Sequence, residues 1–247
     1  MFPIRDHNPS WRTPYVTYAL IAINIVVFVS YWPLFSEPRE LNTFFRAYAM
    51  HPLAISNGAE FHTLITSMFL HGGWMHLAGN MLFLWVFGDN LEDEMGHVGY
   101  LLFYLASGVA ASLSEVVMAP QSIIPTVGAS GAIAGVMGGY LLLYPKAKVD
   151  ILIIIVIIFK IIPIPAWIVL SLWLLMQIFG GFNAVPGTGG TAYWAHAGGF
   201  VAGIILTLPV FLRLGGLQFW KVTHGHPPHP EATYDLARSR IPKVRRK

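Results

Sequence analysis

The chain has 247 residues, 55% of them hydrophobic and only 11% charged, with a formal net charge of +3 and a mean hydropathy of +0.59. Soluble domains carry about 25% charged residues, so this composition excludes a water-soluble globular enzyme and indicates a polytopic membrane protein with one membrane domain and short extensions. The absence of cysteine excludes disulfides, thiolate catalysis and Cys-ligated zinc.

Residues 1–14 form a polar N-terminal segment, and the first apolar run has no small-residue cleavage site after it, so no cleaved leader is expected. A hydrocarbon core about 30 Å thick needs about 20 apolar residues per helix. The runs that meet or approach this are residues 15–32, 73–88, 98–119, 130–144, 166–179 and 193–212. Between the fourth and fifth, Ile151 to Ile162 is intensely apolar, but it carries Lys160 and stops at Pro163 and Pro165. It reads as an interfacial or partly buried segment, with a seventh span as the alternative. The expected fold class is an all-α membrane protein, a six-transmembrane-helix bundle over residues 15–212.

Orientation follows the basic residues. With six spans, all but Arg39 and Arg46 of the 15 Lys and Arg fall on the side that holds both termini. Both termini are therefore expected in the cytoplasm, and an odd number of spans is disfavoured. The loop from Pro33 to Leu70 then lies outside. It carries Phe44, Phe45, Tyr48 and Met50, which suit either an element in the outer interface or an ordinary packed loop. Residues 213–247 form a basic tail rich in Pro, His and Arg, expected to be partly disordered. Its His224, His226 and His229 read as solvated side chains rather than metal ligands, and the Lys243–Lys247 cluster favours anionic inner-leaflet lipid.

Polar and ionisable groups inside membrane spans are costly and point to function. His71 precedes the second span, and His76 and Asn80 lie on it at i and i+4, sharing a face. Ser130 opens the fourth span within Gly128-Ala129-Ser130-Gly131, and His196 lies near the start of the sixth. Spans two, four and six run in one direction in this topology, so the five residues sit at similar depth toward the outer face. The glycines explain how Ser130 and His196 meet. Gly131, Gly135 and Gly139 on the fourth span and Gly199 and Gly203 on the sixth are spaced as small-xxx-small faces, which let two backbones approach closely.

A serine hydroxyl needs a base to take its proton, and histidine is the usual one. None of the 12 acids lies near His196 in sequence, and only Glu115 falls at the outer end of a span. The expectation is a Ser130/His196 dyad without an orienting acid. Candidate donors to a developing oxyanion are the Ser130 backbone N–H at a helix N-terminus, His71 and Asn80, with His76 in a supporting role.

The set His71-(x)4-His76-(x)3-Asn80, Gly128-Ala129-Ser130-Gly131 and Ala195-His196-(x)2-Gly199-(x)3-Gly203, in that order, resembles the rhomboid intramembrane serine proteases. The resemblance covers about residues 15–212, and Glu92-(x)3-Gly96 is similar to that family's structural motif. It implies a six-helix core and a Ser–His dyad, with an oxyanion site built from His71, Asn80 and the Ser130 amide. It also implies an outer loop lying partly in the membrane and a gate formed by the fifth helix with the loop that follows. The implied reaction is cleavage of membrane-anchored proteins near the outer face, with no metal or cofactor. The implied partners are transmembrane protein substrates and the lipid bilayer, not nucleic acid.

Two positions depart from the pattern. Ala134 stands where some members carry a tyrosine on which the histidine ring stacks, so His196 must be held by something else. Glu60-Phe61-His62-Thr63 stands where many have a Trp-Arg pair, which makes His62 a structural residue at the interface. The rival readings are a non-catalytic membrane-protein escort, a transporter and a lipase. The escort is disfavoured because serine and histidine are both present. The transporter is disfavoured because the inner halves of spans two and four carry no ionisable side chain. The lipase is disfavoured by the family resemblance. The expected location is a bacterial or archaeal plasma membrane.

Overall fold

The computed structural model describes residues 2–155, 158–185 and 189–234. In chain order these form β1 (Phe2–Asp6), α1 (Tyr15–Tyr31), α2 (Pro38–Tyr48), α3 (Pro52–Ser56), α4 (Thr63–Thr66), α5 (Trp74–Met118), α6 (Ser130–Leu143), β2 (Lys148–Ile155), β3 (Ile158–Pro165), α7 (Ala166–Asn183), α8 (Tyr193–Arg213) and α9 (Leu217–Thr223). The molecule is mostly helical. Four helical segments, Tyr15–Ser36, Trp74–Met118, Ala166–Asn183 and Tyr193–Arg213, are long and apolar enough to cross a membrane, and α6 is a shorter apolar helix.

Helix α5 has 45 residues, and a straight helix of that length would run roughly 70 Å, over twice a hydrocarbon core of about 30 Å. It is broken at Gly96, whose φ of 71° and ψ of 164° are not helical. A side chain there would be strained, so glycine is the residue that can make this turn. The packing against α6 shows that the chain reverses. From Gly128, just ahead of α6, to Gly139 on it, the first half of α5 supplies His76 and Asn80 and then Leu91. The second half meets the same positions in the opposite order, with Phe103 at Gly139, Ser107 at Gly135 and Ala111 at Gly131. The first half of α5 thus runs parallel to α6, and the second half runs back.

Glu92 anchors this turn. Its carboxylate is 2% exposed. It accepts the N–H groups of Val16 and Thr17 at 2.8 Å each and the Thr17 hydroxyl at 2.8 Å, so it caps the first turn of α1 from another helix. His97, just past the break, closes onto the same carboxylate at 2.6 Å. Removing a buried hydrogen-bonded carboxylate strands its donors, so Glu92→Ala is expected to cost about 3 kcal/mol or more of stability. Unfolding in micelles, compared with the wild type, measures this.

Helices α6 and α8 pack closest. A Cβ at Gly199 would overlap the Gly131 carbonyl, one at Gly203 would overlap the Gly135 backbone, and one at Gly139 would lie 2.5 Å from Thr207 Oγ1. The order 131–199, 135–203, 139–207 makes the two helices parallel. Lipid gives no hydrophobic drive between helices, so such seams rest on close packing of small residues. Large apolar side chains point outward instead: Trp167, Leu172, Leu175, Met176, Phe179 and Phe182 of α7 are all exposed, as suits a helix facing lipid.

The all-α expectation is corrected by a three-stranded antiparallel sheet in the order β1-β2-β3. The described residues of the Ile151–Ile162 run are strand, not helix. The run forms most of a hairpin in which Lys148 pairs with Pro165 and Ile151 with Ile162, and its residues 156 and 157 lie outside the described residues. β-branched Ile and Val favour extended backbone. Pro163 and Pro165 are tolerated because they sit on β3, an edge strand. The polar N-terminal segment supplies β1, pairing Phe2 with Leu152 and Asp6 with Val149. Arg5 at 2.7 Å and His7 at 2.9 Å bond Asp150. Burial alone would raise that carboxyl, but these bonds outweigh it and hold Asp150 below its ordinary range.

The start of the tail is built in too. α9 follows α8, the Ala232 N–H bonds the His7 carbonyl at 3.0 Å, and Lys148 pairs with Glu231 at 2.7 Å. His226 lies 3.4 Å from Glu231, and the His229 ring meets Trp11 edge-on. The Lys243–Lys247 cluster lies outside the described residues. Ahead of α5, Tyr31 at the end of α1 and Phe44 and Tyr48 of α2 form an aromatic run with centroids 4.8 and 5.0 Å apart. His62 Nε2 bonds the Ala47 carbonyl at 2.9 Å.

Candidate active site

Ser130 is the first residue of α6, so its N–H has no partner within the helix. The loop that delivers it is tied down by a two-way bridge between Met50 and Thr126, at 3.1 and 2.8 Å, and by the Gly128 N–H on the Ser67 carbonyl at 2.9 Å. Gly128 has φ +128°, and a Cβ on it would lie 2.8 Å from His76 Nε2. Only glycine lets this backbone lie flat against the His76 ring.

The parallel seam of α6 and α8 brings His196 onto Ser130. The Ser130 Oγ to His196 Nε2 distance is 2.7 Å. The other ring nitrogen, Nδ1, lies 2.8 Å from Gln177 Oε1 on α7. The Trp173 ring lies over the imidazole with centroids 5.7 Å apart at 34°. These two residues do what Ala134, buried at 0% exposure, cannot. Neither was legible in the sequence as a site residue, because each lies on a helix that is otherwise an apolar span. The one signal was Gln177 itself, an uncharged polar side chain toward the C-terminal end of that span. Glu115, at the end of α5, accepts the Ala195 N–H at 3.0 Å and so caps the turn of α8 that carries His196.

A cavity of about 960 Å3 is lined by Ser130, His196, His76, Asn80, Gly128 and Glu115, among others. His76 Nδ1 accepts the Gly72 N–H at 3.3 Å. A neutral ring held this way carries its proton on Nε2, which is the atom beside Gly128. Asn80 is 7% exposed, and its Nδ2 has no hydrogen-bond partner among the described residues. The cavity thus holds a serine–histidine pair and two side-chain donors.

His71, expected as one of those donors, is placed elsewhere. Its ring is fully buried between Phe28 and His76, with centroids 6.4 and 5.1 Å away, and it is not on the cavity wall. Its backbone clamps α1: the His71 N–H donates to the Tyr31 hydroxyl at 2.6 Å, which donates back to the His71 carbonyl at 2.8 Å. Gly131, Gly199 and Gly203 lie in the α6–α8 seam beneath the pair.

A helix bundle with an apolar outer surface and a serine–histidine pair in its core is a polytopic membrane protein of a defined class. The Rhomboid domain family matches residues 58–213, and the chain belongs to the rhomboid family. It is 31% identical over 199 residues to the mitochondrial Rhomboid protein 1 of Saccharomyces cerevisiae, covering 77% of this chain and 51% of that one. It is 35% identical over 129 residues to the putative rhomboid protease YdcA of Bacillus subtilis, covering 52% of this chain and 61% of that one. With Rhomboid protease GluP of the same organism it shares 36% identity over 128 residues, 52% of this chain and 24% of that one. The chain therefore spans about a quarter to three fifths of the length of these relatives. They come from bacteria and mitochondria, and a further one is chloroplastic. The family places the chain in a membrane, and the expectation of a bacterial or archaeal plasma membrane gains no support.

Proposed function

We propose that this chain is an intramembrane serine endopeptidase that cleaves membrane-anchored proteins near the outer face of the bilayer. The observation that carries the reading is the 2.7 Å contact between Ser130 Oγ and His196 Nε2 on a cavity wall. In this reading α1, the two halves of α5, α6, α7 and α8 are six spans, with both termini in the cytoplasm. α6 has 14 residues and is roughly 20 Å long, so it falls short of a full crossing and recesses Ser130 below the outer surface. The cavity then brings water to that depth.

The reaction proceeds as follows. Ser130 Oγ attacks the carbonyl carbon of a substrate peptide bond while His196 Nε2 takes the hydroxyl proton. The tetrahedral oxyanion receives hydrogen bonds from the Ser130 N–H, Asn80 Nδ2 and His76 Nε2. His76 therefore replaces His71 as the imidazole donor, and His71 positions α5 against α1. The C–N bond breaks and the leaving amine takes the proton from His196. A water then attacks the acyl-serine, again giving its proton to His196, and Ser130 is restored. Small residues are expected at the cleavage point, because the site is crowded.

The experiment is cleavage of a single-span substrate in detergent micelles, with a fluorophosphonate probe for the nucleophile. The wild type is expected to cleave and to be labelled on Ser130, mapped by mass spectrometry. His76→Ala and Asn80→Ala are each expected to lower kcat by about 10²- to 10³-fold with little change in KM. A folded wild type that neither cleaves nor labels would overturn the reading.

A further inference from the structure

We propose that Gln177 is a positioning residue: its amide oxygen holds His196 in the one neutral tautomer that can act as base toward Ser130. The inference rests on the serine–histidine reading above. It starts from the pairing of α7 with α8. Gly180 lies against Tyr193, Gln177 against His196 and Trp173 against Phe200. Each step toward the N-terminus of α7 is matched by an equal step toward the C-terminus of α8, so the two helices are antiparallel in fixed register. A Cβ at Gly180 would lie 2.5 Å from the Tyr193 ring, so a glycine there lets α7 approach closely enough for the Gln177 amide to reach the imidazole.

Gln177 is only 9% exposed, on a helix whose other buried residues are Ala166 and Leu170. An amide buried in apolar surroundings is costly unless it is hydrogen-bonded, and its partner here is His196 Nδ1 at 2.8 Å. The oxygen can only accept. Nδ1 must therefore carry the ring proton, which leaves Nε2 with its lone pair facing the Ser130 hydroxyl. The opposite tautomer would place an N–H against that hydroxyl and leave the nucleophile without a base. A carboxylate would fix the same tautomer, as in the Ser–His–Asp arrangement, but at the cost of burying a charge; an amide does it in Cys–His–Asn proteases. The expected dyad is therefore a triad whose third member is neutral and comes from α7.

The full chain in micelles tests this with two readouts. The first is the ring-nitrogen spectrum of ¹⁵N-histidine-labelled protein carrying Ser130→Ala, in which His196 is assigned by its loss in His196→Ala. His196 is expected to be protonated on Nδ1 in the Gln177 form and to become a mixture of tautomers in Gln177→Met, which keeps the side-chain length but lacks the amide oxygen. The second is kinetic. Gln177→Met is expected to lower kcat about tenfold or more, the worth of one such hydrogen bond, with KM nearly unchanged. Gln177→Glu, which restores an acceptor, is expected to recover most of the loss. A His196 proton on Nε2 when Gln177 is present, or the same tautomer with and without Gln177, overturns the proposal. So does cleavage that Ser130→Ala abolishes but Gln177→Met leaves intact, which sinks this inference and spares the protease reading. A wild type that does not cleave sinks the protease reading, while the ring-nitrogen spectrum still decides the role of Gln177.

Discussion

Ser130→Ala is expected to abolish cleavage and fluorophosphonate labelling while leaving the protein folded. Ser130 is half-buried at the first position of α6, and the side-chain bond its hydroxyl makes is the one to His196. Alanine is at home in a helix, so thermal stability should change by less than about 1 kcal/mol. The chemistry has no substitute among the described residues, where Ser130 Oγ is the hydroxyl placed against His196 Nε2. His196→Ala leaves the hydroxyl but removes its base, and general-base catalysis contributes about 10²- to 10⁴-fold. Both variants should therefore fall by at least about 10²-fold in kcat, and because the two groups act as a unit, the double variant should be little worse than either single one. Rates are read with a single-span substrate in micelles, beside unfolding curves for each variant. Cleavage that persists in Ser130→Ala would mean that another group is the nucleophile.

Gly203→Val should have an effect of comparable size on activity by a different route. A Cβ at Gly203 would overlap the backbone of Gly135, and one at Gly199 would overlap the Gly131 carbonyl. The obstructing atoms are backbone, which cannot rotate away as a side chain can. The helices must separate or the seam must fail, and overpacking of this kind costs about 1–3 kcal/mol or more. The same seam sets the distance between Ser130 on α6 and His196 on α8. A displacement of about 1 Å can cost 10²-fold in rate, so the milder Gly203→Ala should lose both stability and about two decades of activity. Unfolding midpoints and kcat, measured side by side, separate the two kinds of variant. Ser130→Ala keeps its midpoint and loses its rate, whereas Gly203→Ala loses both. A Gly203→Ala protein with wild-type rate would show that the seam does not set the catalytic distance.

The two histidines at 71 and 76 show where sequence reasoning stops. The i, i+4 rule placed His76 and Asn80 on one face of a helix, and they do line one cavity wall. His71 lies before Trp74, where α5 begins, so no helical rule governs where its ring points. Its burial against Phe28 is decided by the packing of α1. The Ile151–Ile162 run was ambiguous for a related reason. A short apolar run fits a strand or a helix equally well, and here the run folds back on itself as a hairpin while the third strand of the sheet comes from the far end of the chain, at Phe2–Asp6. Gln177 and His196 are 19 residues apart on two helices, and only the antiparallel register of α7 and α8 joins them.

The membrane class, the apolar helices, the serine at a helix start, the histidine near another, and the small-residue faces that join them are legible along the chain. All of these are written in composition or in local spacing along one helix. Which histidine faces the cavity, what holds His196, and the joining of the N-terminal segment and the Ile-rich run in one sheet emerge only once the helices and strands pack. These depend on contacts between distant segments, whose hydrogen bonds leave no periodic trace in either partner alone.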